Sequence, residues 1–197
     1  MNDCGMKPCI IASGARVILR DRLPDDVDRW IYWRSHGVWR EYDAPWETLA
    51  LSVSPDRLNE IRKTFLESCV DGLPIPRKSA IISTTELKPL GSVNRYEEKR
   101  FPSTWSVGIA ICEDEYLDRG IGTEALALWI HYLLNNSDVH RLALATYSFN
   151  HRMLRVAEKV GFAHEGVDRE IVRWKDRWFD RVRFGMLRCE WEQSLSG

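Results

Sequence analysis

Glu115-Tyr116-Leu117-Asp118-Arg119-Gly120-Ile121-Gly122-Thr123-Glu124-Ala125 is the stretch on which the reading of the fold turns. It follows an apolar run, Val107-Gly108-Ile109-Ala110-Ile111-Cys112, and precedes a helical pattern that continues to about Leu134. A strand that delivers a glycine-bearing loop to a helix N-terminus forms an anion site, because loop amides converge there and the helix dipole adds positive charge. Gly120 and Gly122 leave the backbone uncovered, so phosphate oxygens can come close. The stretch predicts a pyrophosphate cradle, although a Gly-Ile-Gly on its own also serves as a plain tight turn. A P-loop is excluded, since no Lys follows Gly122. The dinucleotide fingerprint fits poorly: Ala125 passes only its looser third position, and Thr146-Tyr147-Ser148 offers no acid where the ribose partner belongs.

The chain of 197 residues, 44% hydrophobic and 29% charged, has the make-up of one ordinary globular domain. Its net charge of −1 excludes a strong overall field for nucleic acid. No apolar run approaches the ~20 residues of a membrane span, so no membrane partner is expected. Residues 1–14 lack the basic start and long apolar core of a secretory signal and read as a short, partly ordered lead-in. The five cysteines, Cys4, Cys9, Cys69, Cys112 and Cys189, are odd in number and scattered. Cys4 and Cys9 could form half a metal site, but no closing Cys/His pair exists, and no metal is expected. Reduced thiols in a cytoplasmic protein are the expectation.

Outward from the glycine loop, Arg16 to Arg20 reads as an opening strand. Leu23-Pro24-Asp25-Asp26 starts a helix with Val27, Trp30, Ile31 and Arg34 on one face. A Trp-rich segment from Gly37 to Val53 follows, and Ser54-Pro55 opens a helix with Leu58, Ile61 and Phe65 inward. After Asp71-Gly72-Leu73-Pro74, strands are predicted at Ser79 to Ser83, Leu90 to Tyr96, Trp105 to Cys112 and Leu142 to Ala145. Leu126, Trp129, Ile130 and Leu133 form the stripe of the helix behind the loop. Asn150 caps a later helix that ends at Gly161. Ile171 to Trp174 and Trp178 to Leu187 form a hairpin about Lys175-Asp176-Arg177. Mixed strand runs of this kind exclude a purely doubly wound parallel sheet.

The segment Asn150-His151-Arg152-Met153-Leu154-Arg155-Val156-Ala157-Glu158-Lys159-Val160-Gly161-Phe162, set behind the glycine loop, resembles the GNAT superfamily of acyl-CoA N-acyltransferases. It looks closest to the branch of the ribosomal-protein N-terminal acetyltransferases, and the resemblance covers roughly Val17 to Trp191. It implies an α/β (α+β) fold, one domain over residues 15–192, with a mixed, mostly antiparallel central sheet flanked by helices. It implies acetyl-CoA as co-substrate. The family loop pattern Gln/Arg-x-x-Gly-x-Gly/Ala maps onto Leu117-Asp118-Arg119-Gly120-Ile121-Gly122, with Leu117 departing from the usual polar residue. By resemblance the cofactor contacts are Ile111 and Cys112 along the pantetheine arm, Leu117, Asp118, Arg119, Gly120, Ile121, Gly122 and Thr123 at the pyrophosphate, and Asn150 and Arg155 on the helix. Asn150 also reads as a simple helix cap.

Acyl transfer from a thioester to an amine needs a neutral amine, a donor for the thioester oxygen, and a proton for the departing thiolate. A strand amide near Ile111 can serve as that donor. Relatives carry a Tyr or Ser after the Asn as the acid, but Met153 and Ala157 stand there. Tyr147, at the preceding strand end, is the nearest replacement, with a wall residue as its competing role. Glu97 and Glu98 could relay a proton, or form a plain surface turn; a Glu common in relatives is replaced by Ser106. Trp39 and Trp46, interleaved with Glu41, Asp43 and Glu47, are candidates for an aromatic and acidic acceptor wall. Packing in the core or in a homodimer is the competing reading for both. The leading function is acetyl transfer to a primary amine: a protein N-terminus, polyamine, amino sugar or antibiotic. The missing acid motivates a second reading, a CoA-binding module with little or no catalysis. Nucleic-acid binding through Arg169 to Arg183 is disfavoured, because Asp168, Glu170, Asp176 and Asp180 offset those arginines.

Overall fold

The computed structural model describes residues 8–48, 54–70 and 72–195. Cys4, the Trp-rich segment beyond Thr48 and Asp71 lie outside them. Eight strands form one sheet in the order β1-β2-β3-β4-β5-β6-β8-β7. They are β1 (Ile10–Ser13), β2 (Ile18–Arg20), β3 (Ser79–Ser83), β4 (Pro89–Glu97), β5 (Thr104–Ile111), β6 (Arg141–Tyr147), β7 (Ala163–Trp174) and β8 (Arg177–Leu187). The β5–β6 pair is parallel and the other pairs are antiparallel. The helices are α1 (Val27–Trp33), α2 (Pro45–Thr48), α3 (Pro55–Glu67), α4 (Ile121–Asn135), α5 (His151–Lys159) and α6 (Arg188–Ser194). This is the mixed, mostly antiparallel sheet flanked by helices that the sequence implied.

The core lies between the sheet and α4. Trp129, Leu126, Leu133 and Ala125 of α4 are fully buried against Leu19, Ile82, Val93, Val107 and Leu142, one from each of five strands. Burial of a Trp or Leu at such a site stabilises the fold by several kcal/mol, since truncation costs roughly 2–5 kcal/mol. The opposite face of β2 is fixed by Arg20. Its guanidinium is fully buried, and Nη1 and Nη2 each donate to Asp26 at 2.7 Å. That pair sets the entry to α1, where a 3₁₀ turn at Pro24–Asp26 precedes the helix. Within α1, Val27 and Trp33 are the buried residues, a narrower and rotated version of the expected stripe. Trp33 turns inward because its indole donates to Glu113 at 2.6 Å, and Arg29 donates to both oxygens of the same carboxylate. Helix α1 is thereby tied to the residues just after β5.

Three elements differ from the sequence reading. Part of the lead-in forms β1, an edge strand paired with β2. Strand β7 starts at Ala163 rather than near Ile171. As the other edge strand, with register breaks at Gly166 and after Asp168, it exposes charged residues and hides the alternation. Helix α6 closes the chain and buries Trp191.

Candidate active site

A wedge opens inside the sheet between β5 and β6. Their ladder holds only at Thr104 with Arg141, Trp105 with Leu142 and Ser106 with Ala143. Beyond it, β5 stays paired to β4 as far as Ile111, while β6 stays paired to β8 as far as Tyr147. The Cys112 N–H donates to Leu90 O at 2.8 Å, toward β4. By strand alternation the polar groups of Ile109 and Ile111 face the other way, into the wedge. An amide-containing chain laid there satisfies them as a further strand would. That is the requirement of a pantetheine arm, and the geometry fits it.

The wedge opens onto the glycine loop. Gly120 is the N-cap of α4 at φ 76°, and no side chain caps the helix. The first amides of α4 therefore lack the intrahelical or side-chain acceptor they need. Arg16 sits behind the loop. Its Nη1 donates to Arg119 O at 2.6 Å, and Nη2 lies 3.5 Å from Gly120 O. In a trans peptide the N–H points opposite to the C=O. Holding those two carbonyls on the Arg16 side turns the Gly120 and Ile121 amides toward the mouth. Arg16 also pairs with Glu124 at 2.7 Å, and the Arg16 backbone N–H donates to the same carboxylate at 2.8 Å. Burial pushes the Glu124 carboxyl up, but these bonds outweigh it and hold it below the usual range. Gly120 is required by its left-handed φ, and a Cβ there, 2.8 Å from Arg16 Nη1, would also push the Arg16 guanidinium aside.

On the other side of the mouth stands α5. The Asn150 Oδ1 accepts from Met153 N at 3.1 Å as a helix cap, and its Nδ2 donates to Tyr42 O at 3.1 Å. Asn150 thus also pins the segment before α2. Arg152 pairs with Asp118 of the loop at 2.9 Å, and exposed Arg155 adds to the field that holds the Asp118 carboxyl low. Thr123 and Gly122 occupy the first turn of α4, and Leu117 supplies backbone only. Cys112 is a buried wall residue whose thiol burial pushes far up, so it is no nucleophile.

Tyr147 ends β6 and shares a sheet face with Ser106 and Tyr96. Its ring meets Trp46 edge-on at 4.7 Å and stacks with Phe149 at 5.7 Å; Trp174 flanks Trp46 at 6.4 Å. Trp46 and Tyr147 are thus brought together, as half of an aromatic box that Phe149 and Trp174 complete. Burial pushes the Tyr147 phenol up, so it is protonated at neutral pH. Asp43 borders the same box. Asp43 is an exposed residue, and the partial desolvation of its carboxyl, with the charge of Glu47, pushes it up.

Two residues singled out in the sequence fall elsewhere. Glu97 registers with Trp105, on the sheet face opposite Tyr147, and pairs with Arg95 at 2.8 Å. The Arg95 hydrogen bond holds it below the usual carboxylate range, which makes it a weaker base. Glu98, by contrast, accepts from Ser106 Oγ at 3.0 Å. Trp39 lies beside Gly37 and Cys112 and donates from Nε1 to His36 O at 3.1 Å, apart from the box. Arg16, Arg152, Phe149 and Trp174 were not singled out. Only Arg152 carried a signal, its place two residues after Asn150. Among the described residues no His/Cys/Asp/Glu group could hold a metal, and no helix is long and apolar enough to cross a membrane.

The profile of the family described as acetyltransferase (GNAT) domain matches residues 16–163. YokL, an N-acetyltransferase derived from the SPbeta prophage of Bacillus subtilis, is 28% identical over 103 residues. That match spans 52% of this chain and 58% of YokL, a little over half of either. The solved structure of RimL, a ribosomal-protein alpha-N-acetyltransferase in complex with coenzyme A, has TM-score 0.70 at 15% identity, covering 91% of this chain and 98% of RimL. The spermidine N-acetyltransferase of Vibrio cholerae, with CoA and spermine, has TM-score 0.69 at 17% identity, covering 91% and 99%. At such identities the likeness is one of fold. With the family profile matched over most of its length, the chain belongs to the GNAT acetyltransferase family.

Proposed function

We propose that this protein transfers the acetyl group of acetyl-CoA to a primary amine carried by a cationic acceptor. The observation that carries this reading is the wedge between β5 and β6 with uncapped amides of α4 at its open end. Bound acetyl-CoA supplies an acyl thioester, a carbonyl already activated toward an amine. The chain's own residues then do three things. The free edge at Ile109 and Ile111 orients the arm and offers an N–H where negative charge develops on oxygen. Asp43 takes the proton that makes the amine a nucleophile; its raised carboxyl suits a base better than the low-lying Glu97 does. Tyr147 gives its phenolic proton to the thiolate as the C–S bond breaks.

Trp46, Tyr147 and Phe149 with Asp43 and Glu47 form an acidic, aromatic mouth, which attracts an ammonium through charge and ring faces. The named relatives acetylate a polyamine in one case and a ribosomal protein in another, so both acceptor classes belong in the test, with amino sugars and aminoglycosides. The free thiols of Cys9, Cys69, Cys112 and Cys189 support a cytoplasmic location for this reading. The test is release of CoA thiol from acetyl-CoA across that amine panel, with calorimetry of CoA binding alongside. At least one cationic amine should give saturable turnover. CoA binding with no turnover on any amine would replace this reading with that of a binding module.

A further inference from the structure

The phosphate cradle holds a carboxylate among its amides. Asp118 lies in it, and Leu117 beside it has no hydrogen-bonding group to offer a phosphate. The loop's own basic side chain, Arg119, is exposed and sits next to that carboxylate, so a second cation brought from elsewhere strengthens the site for a diphosphate.

Arg152, on the first turn of α5, reaches across to this loop. Its Nε lies 3.1 Å from both Asp118 oxygens, and its Nη2 lies 2.9 Å from Oδ2. Its guanidinium sits over the Tyr42 ring, 4.8 Å from the centroid. These contacts occupy one edge of the fork. The third nitrogen, Nη1, is buried and has no hydrogen-bond partner. Leaving a buried donor unpaired is costly, so it marks a place where an acceptor belongs. A guanidinium fork also matches two phosphate oxygens as well as it matches a carboxylate.

We propose that Arg152 is a diphosphate-binding residue of the acetyl-CoA site, supplying from α5 the side-chain donor that Leu117 lacks. Asp118 and the Tyr42 ring hold the guanidinium at the mouth, and the incoming diphosphate takes up its remaining donors. This rests on the acetyltransferase reading above. In Asp118 the loop then carries an anchor for a cation, which explains a carboxylate at a phosphate site.

Calorimetry with CoA, dephospho-CoA and pantetheine tests the assignment on the wild type, Arg152→Gln, Asp118→Asn and the double variant. Arg152→Gln should weaken CoA and dephospho-CoA binding at least tenfold and change pantetheine affinity less than twofold, since pantetheine has no phosphate. Asp118→Asn, which removes the anchor and keeps the guanidinium, should weaken CoA binding less than Arg152→Gln does, and the double variant should be as weak as Arg152→Gln. Arg152→Lys, which keeps the charge and loses the fork, should fall between, and it serves as the comparison should the Gln variant not fold. Recovery of wild-type CoA affinity in the double variant overturns the proposal, because Arg152 would then only neutralise Asp118. A loss seen with CoA and absent with dephospho-CoA overturns it too, since the 3′-phosphate would be the partner. Failure of the wild type to bind CoA at all overturns the acetyltransferase reading together with this one.

Discussion

The proposed chemistry rests on one side chain, Tyr147, since Met153 and Ala157 on the neighbouring helix carry no hydroxyl. Its phenol has no hydrogen-bond partner among the described residues. Its ring is held by Trp46 and Phe149 rather than by a polar contact. Such a group is free to donate to a leaving thiolate, and burial keeps the proton on it at neutral pH. Tyr147→Phe keeps the ring packing and removes the proton. It should lower kcat ~10²-fold, the low end for a positioned acid, and leave the affinity for acetyl-CoA near wild type. Steady-state kinetics with the best amine of the panel decide it. Retention of more than half the wild-type rate removes Tyr147 from the chemistry and leaves it a wall of the acceptor mouth.

Among elements, the junction of β2 with α4 sets the glycine loop. Arg16, just before β2, is bonded to Arg119 O, Gly120 O and Glu124, so a strand start and a helix start are locked together. More than half of the Arg16 side chain is exposed, so these bonds add less than about 1 kcal/mol to global stability. Their effect is orientational. Arg16→Ala should raise KM for acetyl-CoA several-fold, with kcat and thermal midpoint close to wild type. A fall in kcat with unchanged KM would show that Arg16 does not act through the cradle. The glycine loop and the Asn150 cap were legible in the sequence because their interactions are local. The cap bond spans three residues, and Gly120 declares a left-handed turn wherever it is used. Strand β7 was half legible, because an edge strand with register breaks does not need the apolar alternation that marks a buried one.

For the whole molecule, paired carboxylates set the response to acid. Glu113, Glu124 and Glu165 all sit below the usual range. Burial alone pushes Glu113 up, but the hydrogen bonds from Arg29 and Trp33 outweigh it. A carboxylate whose folded pKa is depressed stabilises the fold fully above its unfolded value of about 4.3, and that stability is lost as pH falls through the folded pKa. Stability should therefore be level from pH 7 to 5 and decline below about pH 4. Glu113→Ala strands the buried Trp33 N–H and should cost about 1–3 kcal/mol at pH 7. In denaturant unfolding, its gap from wild type should narrow between pH 5 and pH 3. A gap that stays constant over that range excludes Glu113 as a contributor to the acid response.

The sequence by itself determined the family, the strand, loop and helix that form the cradle, and the cap at Asn150. Each of these is written in residues close together in the chain, where spacing and backbone chemistry are enough to identify it. Only the tertiary structure decided which side chains gather around the wedge and the glycine loop. Arg16 meets the glycine loop from 104 residues away, Arg152 meets Asp118 from 34, and Trp46 meets Tyr147 on a far strand. It also decided against Glu97, since one position of strand register places that carboxylate on the opposite face from Tyr147. Register and long-range packing follow from how the whole sheet buries its apolar face against α4. No local stretch encodes that choice, so the aromatic box was visible in the sequence only as a cluster of tryptophans and acids.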